Sequence, residues 1–141
     1  MPINIKNFLL SKNKKSKIGD FQDLEHIDGV AISAISADLY KEARDDLVLF
    51  YFRDGANYAS VYTQSSIISE NIKWNLNLKF NSIKALLVNA GNANAFTGKQ
   101  GYKGITQIAE ELSKELTIKM SEDEEKKNSV KSNEILFGST G

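Results

Sequence analysis

Apolar positions first recur along this chain with period two. From Gly29 the run V-A-I-S-A-I-S-A alternates branched and small residues, which suits a strand with one buried face. After a polar break at Lys41 to Asp45, a second strand is predicted from Asp46 through Leu47-Val48-Leu49-Phe50-Tyr51-Phe52. Arg53-Asp54-Gly55-Ala56 contains the Asp-Gly pair favoured in tight hairpins, so Tyr58 to Thr63 reads as the returning strand of an antiparallel meander. Ser65 to Leu78 carries Ile67, Ile68, Ile72 and Trp74 at spacings that predict a short helix with a serine cap at Ser66 or Ser69. A buried strand follows at Ile83 to Asn89, through Ala85, Leu86, Leu87 and Val88. Beyond it Ile105, Ile108, Ala109, Leu112 and Leu116 recur at three- and four-residue steps, predicting an amphipathic helix of about four turns. Glu110, Glu111, Lys114 and Glu115 fill its wet face. Met120 to Lys131 is almost wholly polar and reads as an exposed connection, and Ile135-Leu136-Phe137 is a last buried strand before Gly138-Ser139-Thr140-Gly141.

Between the third apolar strand and the long helix the chain loses its apolar bulk. Glycines at 91, 98, 101 and 104 permit positive φ or close approach, and Asn89, Asn92 and Asn94 carry amides able to bond backbone or a ligand. An ordinary strand-to-helix turn uses the same residue types. A phosphate-cradling loop needs a Gly-Lys-Ser/Thr ending, and Gly98-Lys99-Gln100 lacks the hydroxyl. A small-anion or nucleotide-binding module using the Gly91–Gly104 loop at the following helix N-terminus stays open as an alternative.

Composition narrows the picture in a few places. The 141 residues suffice for one domain or part of a larger one. Eighteen basic and eighteen acidic side chains cancel, so no bulk electrostatic pull toward nucleic acid follows. The chain contains no cysteine, which excludes disulfides, thiolate metal sites and a cysteine nucleophile, and the single histidine, His26, makes a zinc site improbable. No apolar run approaches the roughly 20 residues of a membrane helix, and the start is too polar for a secretory signal, so a cytoplasmic site is the simplest expectation. Lysines 6, 12, 14, 15 and 17 mark residues 1–20 as a basic arm. Residues 21–141 form the remaining domain portion, with 121–133 as a charged exposed insertion.

Two segments together carry a resemblance: Val88-Asn89-Ala90-Gly91-Asn92-Ala93-Asn94-Ala95-Phe96-Thr97-Gly98-Lys99-Gln100-Gly101, and the terminal Ser139-Thr140-Gly141. Both are similar to the glutamate N-acetyltransferase (ornithine acetyltransferase) family of arginine biosynthesis, over residues from about 28 to 141. The resemblance implies an α/β layered sheet-and-helix sandwich, incomplete in this chain. It further implies a longer precursor that cuts itself before a threonine, whose freed amine and hydroxyl carry acetyl from N2-acetyl-L-ornithine to L-glutamate. That nucleophile lies outside this chain. Thr140, through its hydroxyl, and Gly141, through its backbone N–H, would then form the oxyanion hole, with Asn89, Gly91, Asn92, Asn94, Thr97 and Gly98 as the structural loop beside it. The resemblance implies no cofactor, although acetyl-CoA is a possible substrate of a bifunctional member, and no nucleic-acid or membrane partner. The C-terminal (beta) segment of the same precursor is the implied partner, in a hetero-oligomer of alpha and beta chains. A non-catalytic relative is the other reading. The 141 residues alone are expected to be inactive. The nucleophile is missing, and a free carboxylate at Gly141 opposes an oxyanion by about 4 kcal/mol at ~4 Å and an effective dielectric of about 20.

Overall fold

The computed structural model describes residues 25–41, 44–122 and 129–141. The basic arm expected at 1–20 and residues 123–128 of the insertion expected at 121–133 lie outside them. One sheet has the strand order β1 (Val30–Ile35), β2 (Leu47–Asn57), β3 (Ser82–Ala90) and β4 (Ile135–Thr140). β1 and β2 pair antiparallel, as do β2 and β3, whereas β4 lies parallel to β3. A parallel neighbour requires a crossover, which the 25-residue helix α2 (Gly98–Glu122) provides. The shorter α1 (Glu70–Leu76) joins β2 to β3.

Alternation along the strands and the register between them sort the side chains into rows. Tyr51, Ala85 and Ile135 share one row, and Leu49, Leu87 and Phe137 share the next on the same face. These rows meet Trp74 of α1 and Ile105, Ala109 and Leu116 of α2 in the core. The rings of Trp74 and Phe137 stand edge to face at 5.8 Å. The third row on this helix-backed face changes character, from Leu47 to Asn89 and Ser139. On the opposite face Ile32, Phe50 and Leu86 align with Leu136, and Ala34, Val48 and Val88 align with Gly138. Apart from Leu136 these are half-buried, and none belongs to the helix-backed core.

Three expectations need correction. Asp54-Gly55 does not close a hairpin, because β2 continues through it to Asn57. The register slips between Tyr51 and Ala56, and Gly55 at φ 82° absorbs the extra residues as a bulge. Tyr58 to Thr63 consequently forms no strand, with Val61 98% exposed, and β3 is the strand that completes the meander. Secondly, α2 starts at Gly98, so Gly101 and Gly104 lie in its first turns and the loop ends at Thr97. Thirdly, the described end of the expected exposed connection is not all exposed. Val130 is buried in the core and donates its N–H to Thr117 Oγ1 at 2.9 Å. The wet face of α2 is as the pattern predicts, with Glu110, Glu111, Lys114 and Glu115 exposed. Among the described residues no helix is long and apolar enough to cross a membrane.

Candidate functional site

β4 is an edge strand, and α1 lies along its free side. Residues 71, 74 and 75 share one face of a helix, and all three are buried. Trp74 Nε1 donates to the Ile135 carbonyl at 2.9 Å. The Asn75 amide imitates a neighbouring strand: Nδ2 donates to the Phe137 carbonyl at 2.8 Å, and Oδ1 accepts the Phe137 N–H at 3.0 Å. One turn earlier, Asn71 Nδ2 donates to Ser139 Oγ. Ser69 is the N-cap residue of α1, at one of the two predicted positions, but its side chain makes no capping bond. The Glu70 N–H donates instead to the main-chain carbonyl of Asn94 at 3.1 Å, so the loop itself closes one open donor of the helix.

The loop is held from within. Asn89 Nδ2 donates to the Asn92 carbonyl at 2.9 Å, and the Asn94 N–H donates to Asn92 Oδ1 at 2.9 Å. The Gly91 N–H donates to the Thr140 carbonyl at 2.9 Å, which ties the loop to the end of β4. Gly91 is required twice over: its φ is 98°, and a Cβ there would stand 2.9 Å from Cε2 of Tyr40. Gly101 leaves room of another kind, since a Cβ would lie 1.9 Å from Thr97 Oγ1 and 2.4 Å from Asn94 Oδ1. Phe96, at φ 62° and 84% exposed, is held at the surface in a conformation costly for a bulky residue.

Asp46 buttresses the base of this loop. Its main-chain carbonyl accepts the Ala90 N–H at 2.8 Å, and its buried carboxylate accepts the N–H groups of Ala37 at 2.6 Å and Leu39 at 2.8 Å. These bonds, the one from Ala37 foremost, hold its carboxyl below the usual carboxylate range despite the opposing effect of burial.

Of the sequence-predicted residues, Asn89, Gly91, Thr140 and Gly141 lie at the C-terminal ends of β3 and β4, Asn92 and Asn94 follow in the loop, and Thr97 and Gly98 stand at the start of α2. Asn89 and Ser139 sit side by side on the helix-backed face, with Ser139 Oγ donating to Asn89 Oδ1 at 2.5 Å. Thr140 pairs with Ala90 in the next row, on the other face, and is exposed. Its hydroxyl makes no hydrogen bond among the described residues. Gly141 follows, also exposed, beside Ala93. The amides of Asn89 and Asn94 are spent on the protein itself rather than turned toward a ligand. A cleft runs between α1 and the first turns of α2, with Lys73, Lys99, Tyr102 and Lys103 in its lining, and it does not include Thr140 or Gly141. Asn71, Asn75 and the side chain of Ser139 are what the pattern of apolar residues misses. The available signal is the spacing Asn71, Trp74, Asn75, which puts two amides and an indole N–H on one helical face.

Residues 31–141 match the ArgJ family. The chain belongs to that family. Among curated relatives, an arginine biosynthesis bifunctional protein ArgJ of Zymomonas mobilis is 34% identical over 101 residues, 71% of this chain and 25% of the relative. The ArgJ protein of Bartonella henselae is 31% identical over 123 residues, 86% of this chain and 27% of the relative. Of the solved structures, an ornithine acetyltransferase from Mycobacterium tuberculosis complexed with ornithine superposes with a TM-score of 0.68. It is 23% identical, over 81% of this chain and 56% of that one. The ArgJ structure from Bacillus halodurans gives 0.63 at 23% identity, over 81% and 54%. This ArgJ-family chain therefore shares their fold and spans about a quarter of the length of the curated relatives it matches.

Proposed function

We propose that this chain is the N-terminal, oxyanion-stabilising part of an acetyltransferase that moves the acetyl group of N2-acetyl-L-ornithine to L-glutamate. In the reaction a threonine hydroxyl, on a segment outside this chain, attacks the acetyl carbonyl and forms a tetrahedral oxyanion. The amide C–N bond then breaks, and ornithine leaves with the proton the hydroxyl gave up. The glutamate amine attacks the acetyl-threonine ester through a second oxyanion, and the threonine hydroxyl is regenerated. Negative charge twice develops on the former carbonyl oxygen, so donors aimed in advance at that position accelerate both halves.

The observation that carries this reading is the end of β4. Thr140 has its carbonyl engaged by the Gly91 N–H and its hydroxyl uncommitted among the described residues, and Gly141 follows at the exposed strand end. The decisive assay is ornithine release by the full-length, self-processed protein. Thr140→Ala is expected to lower the rate by about 10²–10³, the cost of one such donor. A Thr140→Ala enzyme at the wild-type rate would remove Thr140 from the site. Absence of turnover in the intact parent protein would favour a non-catalytic relative. Residues 1–141 alone are expected to transfer nothing, because the nucleophile is elsewhere.

A further inference from the structure

We propose that a one-way chain of side-chain hydrogen bonds from Thr97 to Asn92 sets the position of Thr140 and Gly141, with Asn71 and Ser139 as positioning residues. The inference rests on the reading of Thr140 given above. Thr97 Oγ1 donates to Asn94 Oδ1 at 2.6 Å, and Asn94 Nδ2 donates to Asn71 Oδ1 at 3.0 Å. Asn71 Nδ2 donates to Ser139 Oγ, which donates to Asn89 Oδ1 at 2.5 Å, and Asn89 Nδ2 ends the chain at the Asn92 carbonyl.

The direction of this chain is fixed by its surroundings. A main-chain carbonyl can only accept, so the Asn92 carbonyl requires the nitrogen of Asn89 to face it. The Asn89 oxygen then faces Ser139, whose hydroxyl must donate to it and accept from Asn71. The oxygen of Asn71 is left to face Asn94. The Gly101 carbonyl, 3.4 Å from Asn94 Nδ2, imposes the same orientation on Asn94. Turning any one amide over would set donor against donor or acceptor against acceptor, at a site where Asn71 is only 5% exposed.

The chain joins three segments far apart in sequence: α1, the loop and the end of β4. Ser139 is held from both sides immediately before Thr140, while the Gly91 N–H holds the carbonyl of Thr140 itself. The strand end can neither slide nor roll without breaking bonds on the helix-backed face. The Thr140 side chain, on the other face, inherits that rigidity.

The test uses the full-length, self-processed protein and reads kcat and KM for N-acetylornithine. Asn71→Asp keeps the shape and removes the donor toward Ser139. Because a displacement of about 1 Å at a reacting centre costs on the order of 10²-fold, kcat is expected to fall by about 10- to 100-fold with KM nearly unchanged. Ser139→Ala should behave alike, and Ser139→Thr, which restores the hydroxyl, should recover most of the rate. On a Thr140→Ala background Asn71→Asp should add almost nothing, since its effect passes through Thr140. Unchanged kcat in Asn71→Asp and Ser139→Ala, no recovery in Ser139→Thr, or full additivity with Thr140→Ala would each overturn the proposal. If Asn71→Asp does not fold, the Ser139 pair decides alone. A large loss in Thr140→Ala beside wild-type rates in the other variants would leave the acetyltransferase reading standing and remove only the positioning chain.

Discussion

The helix-backed face of the sheet is built on different physics at its middle and at its end, although α1 serves both. In the middle, Trp74 packs with Tyr51, Ala85, Ile135 and Phe137 in a core without direction, where attraction follows contact area. One turn away, Asn71 meets Ser139 and Asn94 in a set of bonds in which each atom has an assigned partner. An apolar core accepts a volume-conserving exchange. A directional chain loses its sense when one donor becomes an acceptor. The difference teaches why the two lie so close: three residues of one short helix transfer the rigidity of the packed middle to the polar end.

Substitutions on either side of the boundary separate the two regimes. The largest effect on stability is expected in the middle, where Ile135 is fully buried. Ile135→Ala should cost about 2–5 kcal/mol in urea unfolding, and Ile135→Val about 0.5–1.5 kcal/mol, because methyl groups are lost in proportion. At the polar end Gly101→Ala is expected to cost about 1–3 kcal/mol, although alanine is the better helix former. Its Cβ overlaps Thr97 and Asn94, which cannot swing aside without opening the chain they belong to. Gly104→Ala, one turn on in the same helix with nothing within 4 Å of the new Cβ, should raise stability by up to about 1 kcal/mol. Equal shifts in the two glycine variants would show that helix propensity, not the polar network, governs the start of α2.

The smallest expected effect is a titration. The Asp46 carboxyl is held below its usual range when folded, so its contribution is fully present above the unfolded value of about 4 and is lost as pH falls through the lower, folded one. Stability measured by urea unfolding should decline in that acid window, and Asp46→Asn should flatten the decline. An unchanged acid slope in Asp46→Asn would mean that another carboxyl supplies it.

Much of the middle is legible in the sequence, and much of the end is not. Period-two alternation marks β1, and continuous apolar runs mark the first part of β2, β3 and β4, because burial imposes those patterns directly. The three-and-four spacing of Ile105, Ile108, Ala109, Leu112 and Leu116 likewise marks α2, although Ile108 stays 48% exposed. The loop is visible as a family motif, Asn89 through Gly101. What the pattern cannot display is a polar burial: Asn71 and Asn75 look like surface residues until β4 lies against them. That pairing is long-range, 62 residues for Asn75 with Phe137 and 68 for Asn71 with Ser139. Asp54-Gly55 misleads because a bulge and a hairpin ask for the same left-handed glycine, and only the neighbouring strand distinguishes them.

The amide of Asn75 also bears on how copies of this fold can meet. It fills both the donor and the acceptor of Phe137, with Trp74 on the Ile135 carbonyl, so the β4 border of the sheet is already occupied by a helix. Among the described residues the outer side of β1 has no such occupant. A strand arriving at the β4 border would have to displace Asn75 and Trp74 before it could pair.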